Sequence, residues 1–209
     1  MQRYFLIIIA LICFGHITRA ENHSQSPKLA EEFAIAVKNV ESKNFLEAVR
    51  SFDNLAQSGL PEAQFNLSLL HSSGLGTPKN YKTALYWSWQ AHLNDHPTAI
   101  NQVNEIFDLI TEALRDTVAN QIIDELLTIA KAGDQTSALK LRKTYNDLLV
   151  APDYQSAYVW LSIAQAYGLE SASELLSQVA DELTLEEILV QQENCLLYTS
   201  PSPRDRTRS

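Results

Sequence analysis

Two of the five histidines have a spacing that could bind a metal. His92 and His96 are four residues apart, which would place both imidazoles on one face of a helix. Asp95 and Pro97 flank His96, however, and this Asp-His-Pro segment is typical of a turn that would interrupt the face. Two histidines and one carboxylate without a cysteine form a poor zinc site. The sequence therefore predicts no metal site and no cofactor.

A second chemical pattern involves a possible nucleophile. Ser137 and Lys140 match the Ser-x-x-Lys of penicillin-binding enzymes, in which a lysine can activate the serine. The companion Ser-Asp-Asn is missing, and the nearest approach to Lys-Thr-Gly ends in Ala84 instead of glycine. The pair Gly74 and Gly76 follows a helical pattern, whereas a phosphate-binding loop follows a strand. We therefore predict no catalytic site and no enzyme activity.

The first twenty residues resemble a secretory signal peptide. Arg3 precedes an apolar run over residues 5–15, and Thr18 and Ala20 supply small residues before a cleavage site. The run is well short of the roughly 20 residues needed to cross a bilayer as a helix. We expect cleavage after Ala20 and export to the periplasm or the extracellular space, with an uncleaved anchor as the alternative.

The other end of the chain has a different character. Residues 195–205 read Cys-Leu-Leu-Tyr-Thr-Ser-Pro-Ser-Pro-Arg-Asp and resemble a translated sequencing-library adapter. The alternative is a natural tail rich in Ser, Pro and Arg, whose composition cannot bury a core. On either interpretation we expect residues 195–209 to be disordered and the folded domain to end at Asn194.

Composition between these ends excludes several functions. Residues 21–194 contain 11 Lys and Arg against 24 Asp and Glu, a net charge of −13, and no cysteine. An acidic surface repels phosphates, so we expect no nucleic-acid binding, and no membrane insertion after signal cleavage. Without cysteines the fold must be stabilised by its core and not by disulfides. The segment is long enough for one domain, and we predict a single one over residues 21–194.

The chain contains an internal repeat. Residues 80–87 and 153–160 share the pattern Asn/Asp-Tyr-x-x-Ala-x-x-Trp, in which the aromatic residues and the alanine lie along one helical face. The same alignment predicts four turns, at Gly59, Asp95, Gly133 and Gly168. These turns are spaced 36, 38 and 35 residues apart. Glycine and aspartate tolerate the left-handed backbone that ends a helix.

Between these turns the apolar residues follow a helical period, and no segment alternates as a strand does. A capping box formed by Thr184 and Glu187 begins the last helix. We predict about ten helices, near residues 28–42, 44–58, 60–72, 79–93, 97–113, 115–131, 135–146, 153–166, 169–181 and 185–194.

The best-formed unit resembles a Sel-one-like repeat, a relative of the tetratricopeptide repeat. The resemblance extends over residues 58–99 and 133–176, although the loop over 146–152 lacks the Gly-x-Gly pattern. The unit from Asp95 to Gly133 has neither that pattern nor the Trp. The resemblance implies an all-α, right-handed α-solenoid of antiparallel helix pairs, and a role as an adaptor for protein complexes. The residues that carry it are Gly59, Ala63, Leu67, His71, Gly74, Gly76, Asn80, Ala84, Trp87 and Ala91.

In such repeats the first helices line the concave side. Carrying His71 forward by the repeat spacing gives Phe107 and Tyr145, although both aromatic residues could instead contact the next unit. Carrying Ser68 forward gives a polar row of Asn104, Arg142 and Ser177.

Trp89 has no aromatic counterpart in the second unit, so we expect it to be partly exposed. The predicted partner-binding residues are therefore His71, Trp89, Phe107, Arg142 and Tyr145.

Together these observations predict an exported helical-repeat adaptor that binds a protein or peptide through its concave face. A secreted or cell-wall hydrolase of the penicillin-binding type, or a host-directed effector, is the alternative.

Overall fold

The computed structural model describes residues 26–199, so the predicted signal peptide and the chain beyond Thr199 lie outside the described residues. Within this range the fold is all-α, with ten α-helices and no strand. The all-α class predicted from the helical period is therefore confirmed. No helix in the same range is both long enough and apolar enough to cross a membrane.

The described helices form two compact units that divide between Thr111 and Glu112. The first contains α1 (Ser26–Glu41), α2 (Phe45–Gln57), α3 (Pro61–Ser73), α4 (Tyr81–Leu93) and α5 (Ala99–Phe107). The second contains α6 (Glu112–Lys131), α7 (Ser137–Lys143), a π-helical turn (Thr144–Leu148), α8 (Tyr154–Ala166), α9 (Ala172–Ala180) and α10 (Leu185–Thr199).

In the first unit each helix packs on the next one in the chain, as expected for helical repeats, whereas α10 of the second unit packs mainly on α8. The first unit has an apolar core between α1, α2 and α3, which includes Phe33, Phe52 and Leu67. Phe33 and Phe52 meet edge to face, with their ring centroids 5.6 Å apart. Trp87 from α4 is half-buried and packs against this core, in agreement with a packing role for the repeat tryptophan.

The four predicted turns are confirmed by the backbone. Gly59, Gly133 and Gly168 have φ angles of 87°, 104° and 79°, and Asp95 has a φ of 62°. All four lie in the left-handed region that a glycine, or less often an aspartate, occupies after a helix. These residues end α2, α4, α6 and α8 near the predicted positions.

The start of α4 and the start of α8 are built in the same way. The side chain of Asn80 accepts a hydrogen bond from the amide of Thr83 at 3.1 Å, and Asp153 accepts one from Ser156 at 2.9 Å. Each is an N-cap that satisfies an amide with no partner inside the helix. The aligned positions of the repeat therefore have the same local structure.

Two boundaries differ from the sequence prediction. The predicted single domain is divided into two compact units, and the division falls inside the repeat that lacks both the Trp and the Gly-x-Gly loop. The last helix continues to Thr199, past the predicted end of the fold at Asn194. The thiol of Cys195 lies 3.8 Å from the carbonyl oxygen of Val159, so this residue packs on α8.

Candidate functional site

Trp89 does not have the exposure predicted for it. Its side chain is 0% exposed, whereas Trp87 is half-buried. The helix α4 packs against α3 on one side and α5 on the other, so both of its faces are covered. Partial exposure of Trp89 was therefore a wrong prediction, and Trp89 is a core residue.

The predicted row of His71, Phe107 and Tyr145 has little accessible surface at its last member. Tyr145 is buried in the π-helical turn. His71 and Phe107 are both half-buried. Burial lowers the pKa of His71, although the charge of Asp53 opposes this effect, and Nδ1 of the imidazole has no hydrogen-bond partner. His71 and Phe107 lie in the last turns of α3 and α5, which pack against each other.

The polar row is not continuous. Ser68 is fully buried and its hydroxyl donates to the carbonyl oxygen of Ala84 at 2.8 Å, so it holds α3 against α4. The Arg142 side chain is only 17% exposed, and its Nη1 lies 3.7 Å from a carboxylate oxygen of Asp147. Asn104 is exposed, as is Ser177. Two of the four positions thus have a structural role.

The serine of the Ser-x-x-Lys pattern has a structural partner. Ser137 is buried, and its hydroxyl donates to Asp134 Oδ2 at 2.5 Å, while its amide donates to the same oxygen at 2.8 Å. The hydroxyl bond of Ser137, more than any other contact, lowers the pKa of Asp134. A carboxylate with a lowered pKa is a weak base, so this arrangement favours a cap at the start of α7 over an activated nucleophile.

The histidine pair is separated by the end of a helix. Since α4 ends at Leu93 and Asp95 is left-handed, His96 does not continue the helical face of His92. The imidazole of His96 stacks on Phe65, with ring centroids 4.2 Å apart and an interplanar angle of 17°. Burial lowers its pKa to about 4. No group of three or more His, Cys, Asp or Glu is arranged to hold a metal ion in residues 26–199.

The glycine pair that resembled a phosphate cradle has a packing role. Gly76 has a φ of 74°, and a Cβ added there would lie 2.2 Å from the carbonyl oxygen of Phe45. The loop after α3 therefore lies directly on the backbone at the start of α2. Only glycine allows this close approach.

One feature of the surface was missed by the sequence analysis. Leu185, Leu189 and Val190 of α10 remain exposed in the second unit. Their spacing of four and five residues places them on adjacent parts of one helical face, and this could have been found from the period of residues 185–194. Other exposed large apolar side chains are Ile35, Leu46, Leu109, Ile129 and Tyr167.

Comparison with known proteins gives few relatives. No family model matches the sequence, and no similar protein was found among curated proteins. Among solved structures, the chain is similar to a Sel1 repeat protein from Oxalobacter formigenes, with 19% sequence identity and a TM-score of 0.30. The match covers 80% of this chain and 86% of that chain. The helices, caps and turns described above define the class: an all-α protein of packed helical repeats.

Proposed function

We propose that this protein is an exported helical-repeat adaptor that binds a protein or peptide partner and catalyses no reaction. One observation carries the proposal. Three large apolar side chains, Leu185, Leu189 and Val190, remain exposed on one face of α10 in the second unit. Exposed apolar side chains that are grouped on one face are typical of surfaces that bind other proteins.

The polar residues support a binding role over a catalytic one. Asn80 and Asp153 cap helices, and Asp134 accepts the hydrogen bonds of Ser137. A hydrolase site of the penicillin-binding type requires a nucleophile, a base and an oxyanion donor that converge on one reacting atom. In this chain the candidate groups are instead used to end or begin helices.

The partner-binding face proposed for the first unit consists of the last turns of α3 and α5. His71 and Phe107 retain part of their surface there. Aromatic side chains contribute strongly to binding because they bury a large area with few torsions to restrict. In the second unit, Ser177 is the exposed position of the polar row, and Arg142 keeps 17% of its side chain exposed.

Export is the second part of the proposal. It is supported by the signal-like residues 1–20 and by the absence of cysteine from residues 21–194. The measurement is N-terminal sequencing of the protein recovered outside the cytoplasm. A first residue of Glu21 is expected, whereas an intact Met1 in the membrane fraction would support the uncleaved anchor.

The binding role is tested by capture from an envelope fraction, followed by calorimetric titration of the purified partner. We expect saturable binding that is weakened at least tenfold by His71→Ala/Phe107→Ala. The double variant Glu31→Ala/Glu32→Ala, on exposed positions of α1 outside this face, is the control. Circular dichroism must first show that both variants are folded. The adaptor role is contradicted if no captured protein binds saturably.

The hydrolase alternative has its own test. A fluorescent penicillin should not label the protein, and Ser137→Ala should behave as the unmodified chain does. Covalent labelling that disappears in Ser137→Ala would replace the adaptor proposal by the enzymatic one.

A further inference from the structure

The helix α10 contacts α8 partly through polar side chains. Gln191 is buried, and its amide nitrogen donates to Gln155 Oε1 at 3.1 Å. The Gln155 amide in turn donates to Glu187 Oε1 at 3.0 Å. A helix on the surface of a globular protein usually turns its apolar side to the core. Here amides and a carboxylate face the neighbouring helix beside Cys195.

The apolar side of α10 is correspondingly exposed. Leu185 is 73% exposed, Leu189 is 54% exposed and Val190 is 50% exposed. At about 100° per residue these three lie within one sector of the helix. We call this sector, together with the Glu186 and Glu193 side chains that lie in it, the α10 face. Its apolar groups keep half or more of their surface in contact with water after folding, so the packing of the second unit explains them only in part.

The charged residues of α9, α10 and the segments that flank them over residues 169–199 are all acidic. Residues 169–199 contain no lysine and no arginine but seven carboxylates. Glu186 and Glu193 are seven residues apart and lie between Leu189 and Val190 around the helix. Both are exposed, as are Glu182 and Asp181 at the end of α9. A ligand of this face must therefore bring apolar groups and positive charge together.

We propose that the α10 face binds a cationic amphipathic helix of a partner protein. The apolar residues of that helix would cover Leu185, Leu189 and Val190, and its lysine or arginine side chains would pair with Glu186 and Glu193. In such binding between amphipathic helices, apolar anchors give affinity and charges give orientation. The proposal rests on the proposed adaptor function but places a contact on a different helix from the face at His71 and Phe107.

A second copy of this chain fits the same face poorly. A two-fold interface would bring the α10 face against itself, so that Glu186 and Glu193 would meet like charges. An anionic lipid surface is disfavoured for the same reason. A cationic amphipathic helix can both cover the apolar residues of the α10 face and pair with its carboxylates.

The probe for the test is a fluorescein-labelled synthetic peptide of about 18 residues, built from leucine on one helical face and lysine on the other. Fluorescence anisotropy measures its Kd for the full chain. The variant Leu185→Ser/Leu189→Ser should weaken binding at least tenfold. The matched control is Leu46→Ser/Leu109→Ser, which changes two leucines of similar exposure in the first unit and should leave Kd within twofold.

The charge requirement is tested separately. Glu186→Gln/Glu193→Gln should weaken binding several-fold at low salt, and the difference should vanish at about 0.5 M salt, where the charges are screened. The control is Glu31→Gln/Glu32→Gln on the exposed side of α1. A peptide with glutamate in place of every lysine should not bind.

Three results would overturn the proposal. The first is equal affinity of the peptide for the unmodified chain and for Leu185→Ser/Leu189→Ser. The second is equal binding of the glutamate peptide. The third is a concentration-dependent dimer in sedimentation that Leu189→Ser abolishes, since the face would then belong to a second copy.

These failures can be told apart from failure of the proposed function. If a natural partner still binds Leu185→Ser/Leu189→Ser with unchanged affinity, the α10 face is excluded and the adaptor role stands. If the peptide binding maps to the α10 face but no natural protein binds the chain, the adaptor role fails by itself.

Discussion

The backbone amide of Asn80 donates a hydrogen bond to the carbonyl oxygen of His71 at 3.0 Å, which closes the loop between α3 and α4. The amide of Asp153 makes the corresponding bond to the carbonyl oxygen of Tyr145, at 3.1 Å. His71 and Tyr145 are the residues that the repeat alignment equates, and so are Asn80 and Asp153. The two loops therefore close in the same way although only the first contains glycines.

Asn80 and Asp153 also cap the helices that follow them, which leads to the first prediction. Asn80→Ala and Asp153→Ala should each lower the free energy of unfolding by about 1 kcal/mol, since each leaves a first-turn amide without its acceptor. Urea unfolding followed by tryptophan fluorescence and by circular dichroism measures the change. The controls Asn80→Ser and Asp153→Ser keep an acceptor and should retain most of the stability. Equal losses for alanine and serine would show that the caps are unimportant.

The turns and caps were predictable because their causes are local. Gly59, Gly133 and Gly168 can adopt the left-handed backbone at little cost, so the residue type alone indicates the turn. Thr184 and Glu187 form the predicted capping box, with the Thr184 amide 2.8 Å from Glu187 Oε2. Neither inference depends on which helices are neighbours.

The orientation of side chains was harder to predict because it depends on those neighbours. Trp87 and Trp89 lie on one helix that is covered by α3 and α5, so apolar residues occur all around it and no period marks the outer side. Ser68 appears polar in the sequence but hydrogen-bonds to the backbone of the next helix. The division after Thr111 likewise reflects packing between helices and not a local residue pattern.

The second prediction concerns the loop glycine. Gly76→Ala should cost more than Gly59→Ala, although both positions have a positive φ angle. At Gly59 a Cβ meets nothing within 4 Å, so only the backbone strain of roughly 1–2 kcal/mol applies. At Gly76 the Cβ collides with the backbone of Phe45, which adds about 1–3 kcal/mol of overpacking. Thermal unfolding of the two variants gives the comparison, and an equal loss would argue against the close contact.

The third prediction tests the small residues of the repeat. Ala84 and Ala157 are fully buried, so Ala84→Leu and Ala157→Leu should each destabilise the fold by about 1–3 kcal/mol. Ala166 lies on the same helix as Ala157 but is exposed, so Ala166→Leu is the matched control and should change little. The midpoint of thermal unfolding is the measurement. An Ala157→Leu midpoint equal to that of Ala166→Leu would remove Ala157 from the helix contact.

The fourth prediction is a dependence on pH. Burial lowers the pKa of His96 to about 4 in the folded chain, whereas an unfolded histidine has a pKa near 6.5. The unfolded state therefore binds the proton first, and the stability contributed by neutral His96 is lost as the pH falls from about 6.5 toward 4. His96→Phe keeps an aromatic ring on Phe65 but has no proton to bind.

The unfolding free energy of His96→Phe should consequently fall less than that of the unmodified protein between about pH 7 and pH 5, above the range of ordinary carboxylates. His71, whose pKa is also lowered by burial, should account for part of the decline that remains. Identical pH profiles for the two proteins would contradict the assignment to His96.

The last prediction concerns the second loop, which closes without glycines because a side chain of α6 holds its carbonyl groups. Arg115 on α6 donates from Nε to the carbonyl oxygen of Leu148 at 2.7 Å, and from Nη2 to those of Asp147 and Leu149 at 3.0 and 3.1 Å. One guanidinium thus donates to three carbonyl oxygens where the π-helical turn ends. Arginine is suited to this because its donors are held in a fixed planar arrangement. The neighbouring Asp116 accepts from the Val150 amide at 3.0 Å.

Arg115→Met should therefore destabilise the second unit by about 2–3 kcal/mol, because it leaves several partly buried carbonyls without a donor. Arg115→Lys should recover only part of this loss, since one ammonium cannot reach three acceptors in the same geometry. Arg50→Met is the control: Arg50 pairs with Glu47 at 2.7 Å on an exposed surface, where an ion pair contributes about 0–1 kcal/mol. Urea unfolding of the three variants measures the effects. If Arg115→Met were no worse than Arg50→Met, the loop would have to be held by its own backbone and not by α6.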